Sequence, residues 1–166
     1  MAAGATYEPI ASQTLGSATA SVTFSSIPQG YTDLVVVSNM AGTGVDATSI
    51  RFNGDTGNNY SYTRLYGSGS AAASTRESNI SVLKTGLIST TSITSPDTII
   101  THINNYSNST TYKTAISRSA ATSYVASFVG LWRSTSAITS LTLLIETGSP
   151  NIASGSTFTL YGIAAA

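Results

Sequence analysis

The sequence predicts an all-β protein, a β-sandwich of jelly-roll type with a short N-terminal arm, and three observations carry that expectation. Short runs alternate hydroxyl and apolar residues: Ala20, Val22 and Phe24 share one face of a strand, with Thr19, Ser21 and Thr23 on the other. Clusters of Gly, Asn, Asp, Ser and Pro separate these runs, and no stretch holds a helical period long enough to compete. Serine and threonine supply roughly a third of the 166 residues. Charged residues supply only 8%, against about 25% in an ordinary domain.

The first element is the expected arm, residues 1–18, where Tyr7, Pro9, Ile10 and Leu15 stand among small residues without a clean period. Such a segment either reaches a neighbouring molecule or caps its own sheet. Residues 19–166 then read as a single β-sandwich domain, because no linker, charge block or fixed repeat divides them. The strand at 19–24 ends in the turn Ser25-Ser26-Ile27-Pro28-Gln29-Gly30. The run 33–40 is nearly continuously apolar at Leu34 to Val37, as in a central strand covered on both faces. Further strands are expected at 48–53, 60–66, 80–87, 98–107, 110–119, 124–133, 138–146 and 156–163. Asn108 and Ser109 mark a hairpin between two of them, and residues 71–78 are the one place where a turn of helix is expected. About ten strands at this spacing suit a sandwich or jelly roll.

Composition also excludes function classes. Without cysteine the chain holds no disulfide or thiolate metal site, and a single histidine builds no multi-histidine centre. Neither a metal nor another cofactor is expected. Seven basic and seven acidic residues, scattered singly, leave no basic stripe for a nucleic-acid backbone. No run approaches a membrane span, and the N-terminus lacks the charged and apolar regions of a signal peptide, so synthesis in a cytoplasm is expected.

The local constellations favour structure over chemistry. His102 falls mid-strand on the face of Ile100, Asn104 and Tyr106, with no GxSxG elbow anywhere to partner it. The matches to G-x-G-x-x-A at 42–47 and 67–72 lack the long helix that dinucleotide binding requires. In the loop 53–59, Asn53, Asp55, Asn58 and Asn59 offer oxygens for a hard cation, yet Arg64 occupies the position where a calcium loop places its closing glutamate. A turn whose Asn and Asp satisfy their own backbone is the favoured reading. Tyr60, Tyr62, Arg64 and Tyr66 project from one face of a strand. That ladder either packs within the molecule or forms a candidate interface or glycan face. Trp132, sharing a face with Phe128 and Gly130, is expected in the core rather than as a sugar platform.

Three segments together carry a resemblance: 20–34 (ASVTFSSIPQGYTDL), 51–61 (RFNGDTGNNYS) and 154–163 (SGSTFTLYGI). In order and spacing they resemble recurring blocks of a family of small structural proteins of tailed-phage virions, cyanophage ones included. The resemblance implies a jelly-roll-like sandwich on a virion, either a trimeric knob cementing capsomers or the head of a tail or fibre protein. It carries no catalytic residues. The expected function is that of a capsid cement or decoration protein, a homotrimer bound to the major capsid protein, with Tyr7, Pro9, Ile10 and Leu15 as the partner-binding arm. One short arm and one domain, without a fibre's long shaft, favour decoration over a fibre. The alternative is a carbohydrate- or receptor-binding head using the tyrosine ladder or Trp132. Sparse charge fits close assembly, since little must be desolvated when copies meet.

Overall fold

In the computed structural model, which describes residues 6–121, 124–147 and 150–164, the protein is an antiparallel β-sandwich with no helix among those residues. Twelve strands follow in chain order: β1 (Tyr7–Thr14), β2 (Ser21–Phe24), β3 (Asp33–Met40), β4 (Asp46–Phe52), β5 (Tyr60–Gly67), β6 (Ala72–Ile80), β7 (Leu83–Ile88), β8 (Asp97–Asn104), β9 (Lys113–Ala121), β10 (Tyr124–Trp132), β11 (Leu141–Ile145) and β12 (Thr157–Ile163). Eight form one sheet in the order β1-β12-β3-β8-β9-β10-β5-β6, and four form a second in the order β2-β11-β4-β7. The arrangement is compatible with the expected jelly-roll type.

The unequal widths of the two sheets organise the molecule. Inward residues of β3, β8 and β10 meet those of β4, β7 and β11 in a core that includes Val36, Ile103, Phe128, Ile50, Leu83 and Leu143. At Gly130 the sheets approach closely, and a Cβ there would run into the Leu83 side chain. Glycine is what lets β7 settle onto β10. The hydroxyl residues do not all face outward. Thr48, Thr85, Thr101 and Ser117 are buried between the sheets, where Thr101 pairs with Ser117 at 3.1 Å and Thr48 with Thr85 at 3.2 Å. These four buried hydroxyls thus have partners, as burial demands, whereas the buried Ser49 hydroxyl beside them on β4 has none among the described residues.

Three segments show where the sequence expectations stand. Over Tyr7–Thr14 the expected arm takes the second of its two alternatives, capping its own sheet as a strand paired along β12 from Tyr7↔Ile163 to Thr14↔Thr157. Half-buried Ile10 and buried Leu15 anchor it, and Leu15 exchanges backbone hydrogen bonds with Ser156 and Gly155. Residues 71–78 contain no helical turn, because the backbone from Ala72 onward pairs with β5 as β6. The hairpin at Asn108 is wider than expected: β8 stops at Asn104, β9 begins at Lys113, and Asn105 takes a left-handed φ of 49°. Asn108 Oδ1 there accepts from the Thr110 and Thr111 amides, a side chain imitating a backbone turn.

A candidate interaction surface on the wide sheet

The tyrosine ladder does lie on one face of β5, and that face points inward. Tyr60 is fully buried, stacked on Trp132 with centroids 6.2 Å apart and 17° between the planes. Its hydroxyl accepts from the Phe52 amide at 3.0 Å, and burial pushes the phenol up to about 12. Tyr62, also buried, donates to Glu77 Oε1 at 2.7 Å. That bond holds the Glu77 carboxyl below its usual range. Lys84 bridges Glu77 and Glu146, 3.1 Å from each. Burial works against its charge, and the hydrogen bonds to both carboxylates outweigh burial, holding the ammonium's pKa above its ordinary value. Farther along, the Arg64 guanidinium lies 4.2 Å over the Tyr66 ring, which stacks on Tyr124. The ladder is core at one end and a half-buried rim at the other, so it presents no open row of rings to a glycan.

The remaining candidates resolve similarly. Trp132 is 2% exposed, and its indole N–H donates to Asp55 Oδ2 at 2.7 Å. Asp55 also accepts from Asn59 Nδ2 and the Gly57 amide. Burial opposes ionisation there, but these three donors outweigh it and hold the carboxyl below the usual range. Asn53, with φ of 53°, bonds across to the backbone of Ala137, Thr139 and Ser140. The loop 53–59 therefore uses its oxygens as internal staples. No group of three His, Asp or Glu side chains converges among the described residues. His102 Nε2 stands 3.2 Å from Asp33 Oδ2, while Asp33 Oδ1 accepts from the Asn105 amide. Both glycine-rich matches fall between consecutive strands, at the β3–β4 and β5–β6 connections. Of the four arm residues, Tyr7 is exposed and meets Tyr161 edge-on at 6.3 Å. Pro9 flanks a register shift in β1, and Ile10 and Leu15 pack against the protein's own core.

What the sequence reading missed is the outer face of the wide sheet. Leu65 on β5, Ile116 on β9, and Val125 and Val129 on β10 are 61%, 51%, 60% and 53% exposed. Register brings them together: Val129 lies opposite Ile116, and Ser127 lies between Leu65 and Arg118. Beside them a groove of about 810 Å³ is lined by Leu65, Ala72, Ile100, Ala120 and Val125, with Arg118 among them. A second groove of about 410 Å³ adjoins it along Thr63, Arg76, Val129 and Leu131. No ion pair is found for Arg118 or Arg76 among the described residues. Scattered exposed aliphatics are ordinary, whereas a contiguous apolar patch with a polar rim marks a contact surface.

Comparison of the chain with protein-family models returns no match, and comparison with curated proteins returns none either.

Proposed function

We propose that this is a structural protein acting by attachment rather than turnover, and more specifically a cement or decoration protein of a tailed-phage virion. The observation that carries the attachment reading is the bare aliphatic face of Leu65, Ile116, Val125 and Val129 on the wide sheet, and the virion assignment rests on the resemblance of segments 20–34, 51–61 and 154–163. Its partner would be the major capsid protein, with copies also meeting one another, about a threefold axis in the arrangement the resemblance implies. Attachment would stabilise the shell by burying this face across junctions between capsid subunits. At roughly 25 cal/mol per Å² of apolar surface removed from water, a modest contact repeated many times adds up to a firm shell. Sparse charge supports the same reading, because such contacts lose little to desolvation and tolerate salt. The receptor-binding alternative is weakened by the burial of Tyr60, Tyr62 and Trp132, the rings it relied on.

The test is the copy number of this chain relative to the major capsid protein in gradient-purified particles, read by quantitative mass spectrometry. Comparable copy numbers are expected. A few copies per particle would move the assignment to a tail or receptor-binding component, and absence from particles would overturn it.

A further inference from the structure

The wide sheet ends in two edges that differ in what they offer. On β1, Pro9 and a register shift between Pro9 and Ala11 interrupt the row of amide and carbonyl groups that another strand would need. On β6 nothing interrupts it across residues 72–78. Pairing with β5 runs without a shift from Gly67↔Ala72 to Ser61↔Ser78, and the strand contains no proline. It is exposed along nearly its whole length. In the narrow sheet, β2 is only four residues long, and β7 is mostly buried against β9 and β10. Natural edges of this length are usually blunted by proline, bulges or rows of lysine.

We propose that β6 is a self-association edge, pairing antiparallel with β6 of a second copy about a two-fold axis at Thr75 and joining two wide sheets into one. The partner follows from the other edges. A head-to-tail contact would need a complementary open edge on the same chain, and β1 is interrupted while β2 is too short. Like-with-like pairing is the remaining solution, and it closes on itself.

The regular stretch sets the axis, and charge narrows the alternatives. The regular stretch of β6 ends where its register shifts beyond Ser61↔Ser78 and Asn79 turns to a φ of 58°, so the midpoint of residues 72–78 is Thr75. Charge excludes the centres on the C-terminal side of Thr75. A two-fold axis at Thr75 places Ser74 opposite Arg76 of the other copy, Ala73 opposite Glu77 and Thr75 opposite itself. An axis at Arg76 or Glu77 would set like charges face to face. The Thr75 register also keeps the outer faces on one side, so the groove beside Leu65 and Ala72 of one copy meets the groove along Arg76 and Val129 of the other. This contact stands on strand geometry and does not require the virion reading. A threefold contact elsewhere on the molecule would leave it free to link trimers.

The chain's lack of cysteine makes the test direct, since Thr75→Cys introduces one thiol. Directly opposed residues of an antiparallel pair stand about 4.5–5.5 Å apart at Cα, within disulfide reach. Oxidation should give a cross-linked dimer, whereas Val45→Cys, exposed and distant in sequence from β6, should not. Ser74 is exposed and its side chain has no partner among the described residues, so its variants should keep the fold, as circular dichroism will show. By native mass and dilution, Ser74→Glu should tighten the dimer and Ser74→Lys loosen it, each by roughly two- to thirty-fold for two symmetric cross-strand pairs. The proposal is overturned by a chain monomeric at every concentration, by Thr75→Cys cross-linking no better than Val45→Cys, or by both Ser74 variants shifting the dimer in one direction. A trimer indifferent to Ser74 would remove this contact and leave the virion reading intact. Edge dimers in a protein absent from particles would do the reverse.

Discussion

The two faces of β10 are both apolar, and only one is covered. Inward, Phe128 and Trp132 are almost fully buried, while outward Val125 and Val129 are more than half exposed on the same strand. An antiparallel strand with one wet face ordinarily alternates apolar with polar residues. β10 instead has the two-sided apolar character of a strand covered on both faces, though the described residues supply cover for only one. The narrow sheet shields the inner face, and nothing else among the described residues reaches across the outer one. The difference separates residues that hold the fold from residues available for contact, and mutation can test that separation.

The largest effect is expected on the inner face. Phe128→Ala removes a ring packed 5.9 Å from Tyr62 in the core and should cost about 3–5 kcal/mol in denaturant unfolding. A loss below 1 kcal/mol would show that the inner face is not the core it resembles. Next comes alkaline pH. The Tyr60 phenol titrates at about 12 when folded and near 10 when unfolded, so the unfolded chain loses its proton first as pH rises. Stability contributed by neutral Tyr60 is therefore complete below pH 10 and is lost on the way to pH 12, by up to roughly 3 kcal/mol. Unfolding titrations across that window should show a smaller loss in Tyr60→Phe than in the wild type, the remainder coming from Tyr62, Tyr106 and Tyr124, whose phenols burial also raises.

Asp55→Ala should cost about 1–3 kcal/mol, because it strands the Trp132 indole N–H without its acceptor. A neutral result in thermal melts would mean that water replaces the carboxylate at no cost. Smallest is the outer face. Val125→Ser and Val129→Ser should change unfolding free energy by no more than about 0.5 kcal/mol. The same pair should nevertheless weaken particle attachment in a co-sedimentation assay. If these variants unfold the protein, the outer face belongs to the fold and the distinction between the faces fails.

Where each strand was legible depends on what covers it. The run Asp33–Met40 could be bounded from sequence because Leu34 to Val37 is continuously apolar, and β3 lies centrally in the sheet. β1 was illegible for a specific reason: the register shift between Pro9 and Ala11 breaks the phase, so Tyr7, Ile10 and Leu15 follow no single period. β6 escaped notice because almost no residue along it is covered, and an uncovered strand has no need of apolar alternation. The common face of Tyr60, Tyr62, Arg64 and Tyr66 was readable from spacing alone. Its direction was not, since the shielding strands β4 and β7 come from elsewhere in the chain. Val125 and Val129 stayed hidden as candidates because, beside Phe128 and Trp132, they read as more core.

The proline and register shift at the opposite edge have a consequence best expressed as polymer chemistry. A monomer with two reactive ends grows into a fibre, whereas one with a single reactive end stops after one coupling. With β1 closed by Pro9 and the shift at Ala11, each copy is monofunctional along the strand-stacking direction. Joining two open edges consumes both. The protein thereby keeps a sticky strand while denying itself the repeat addition from which cross-β filaments grow.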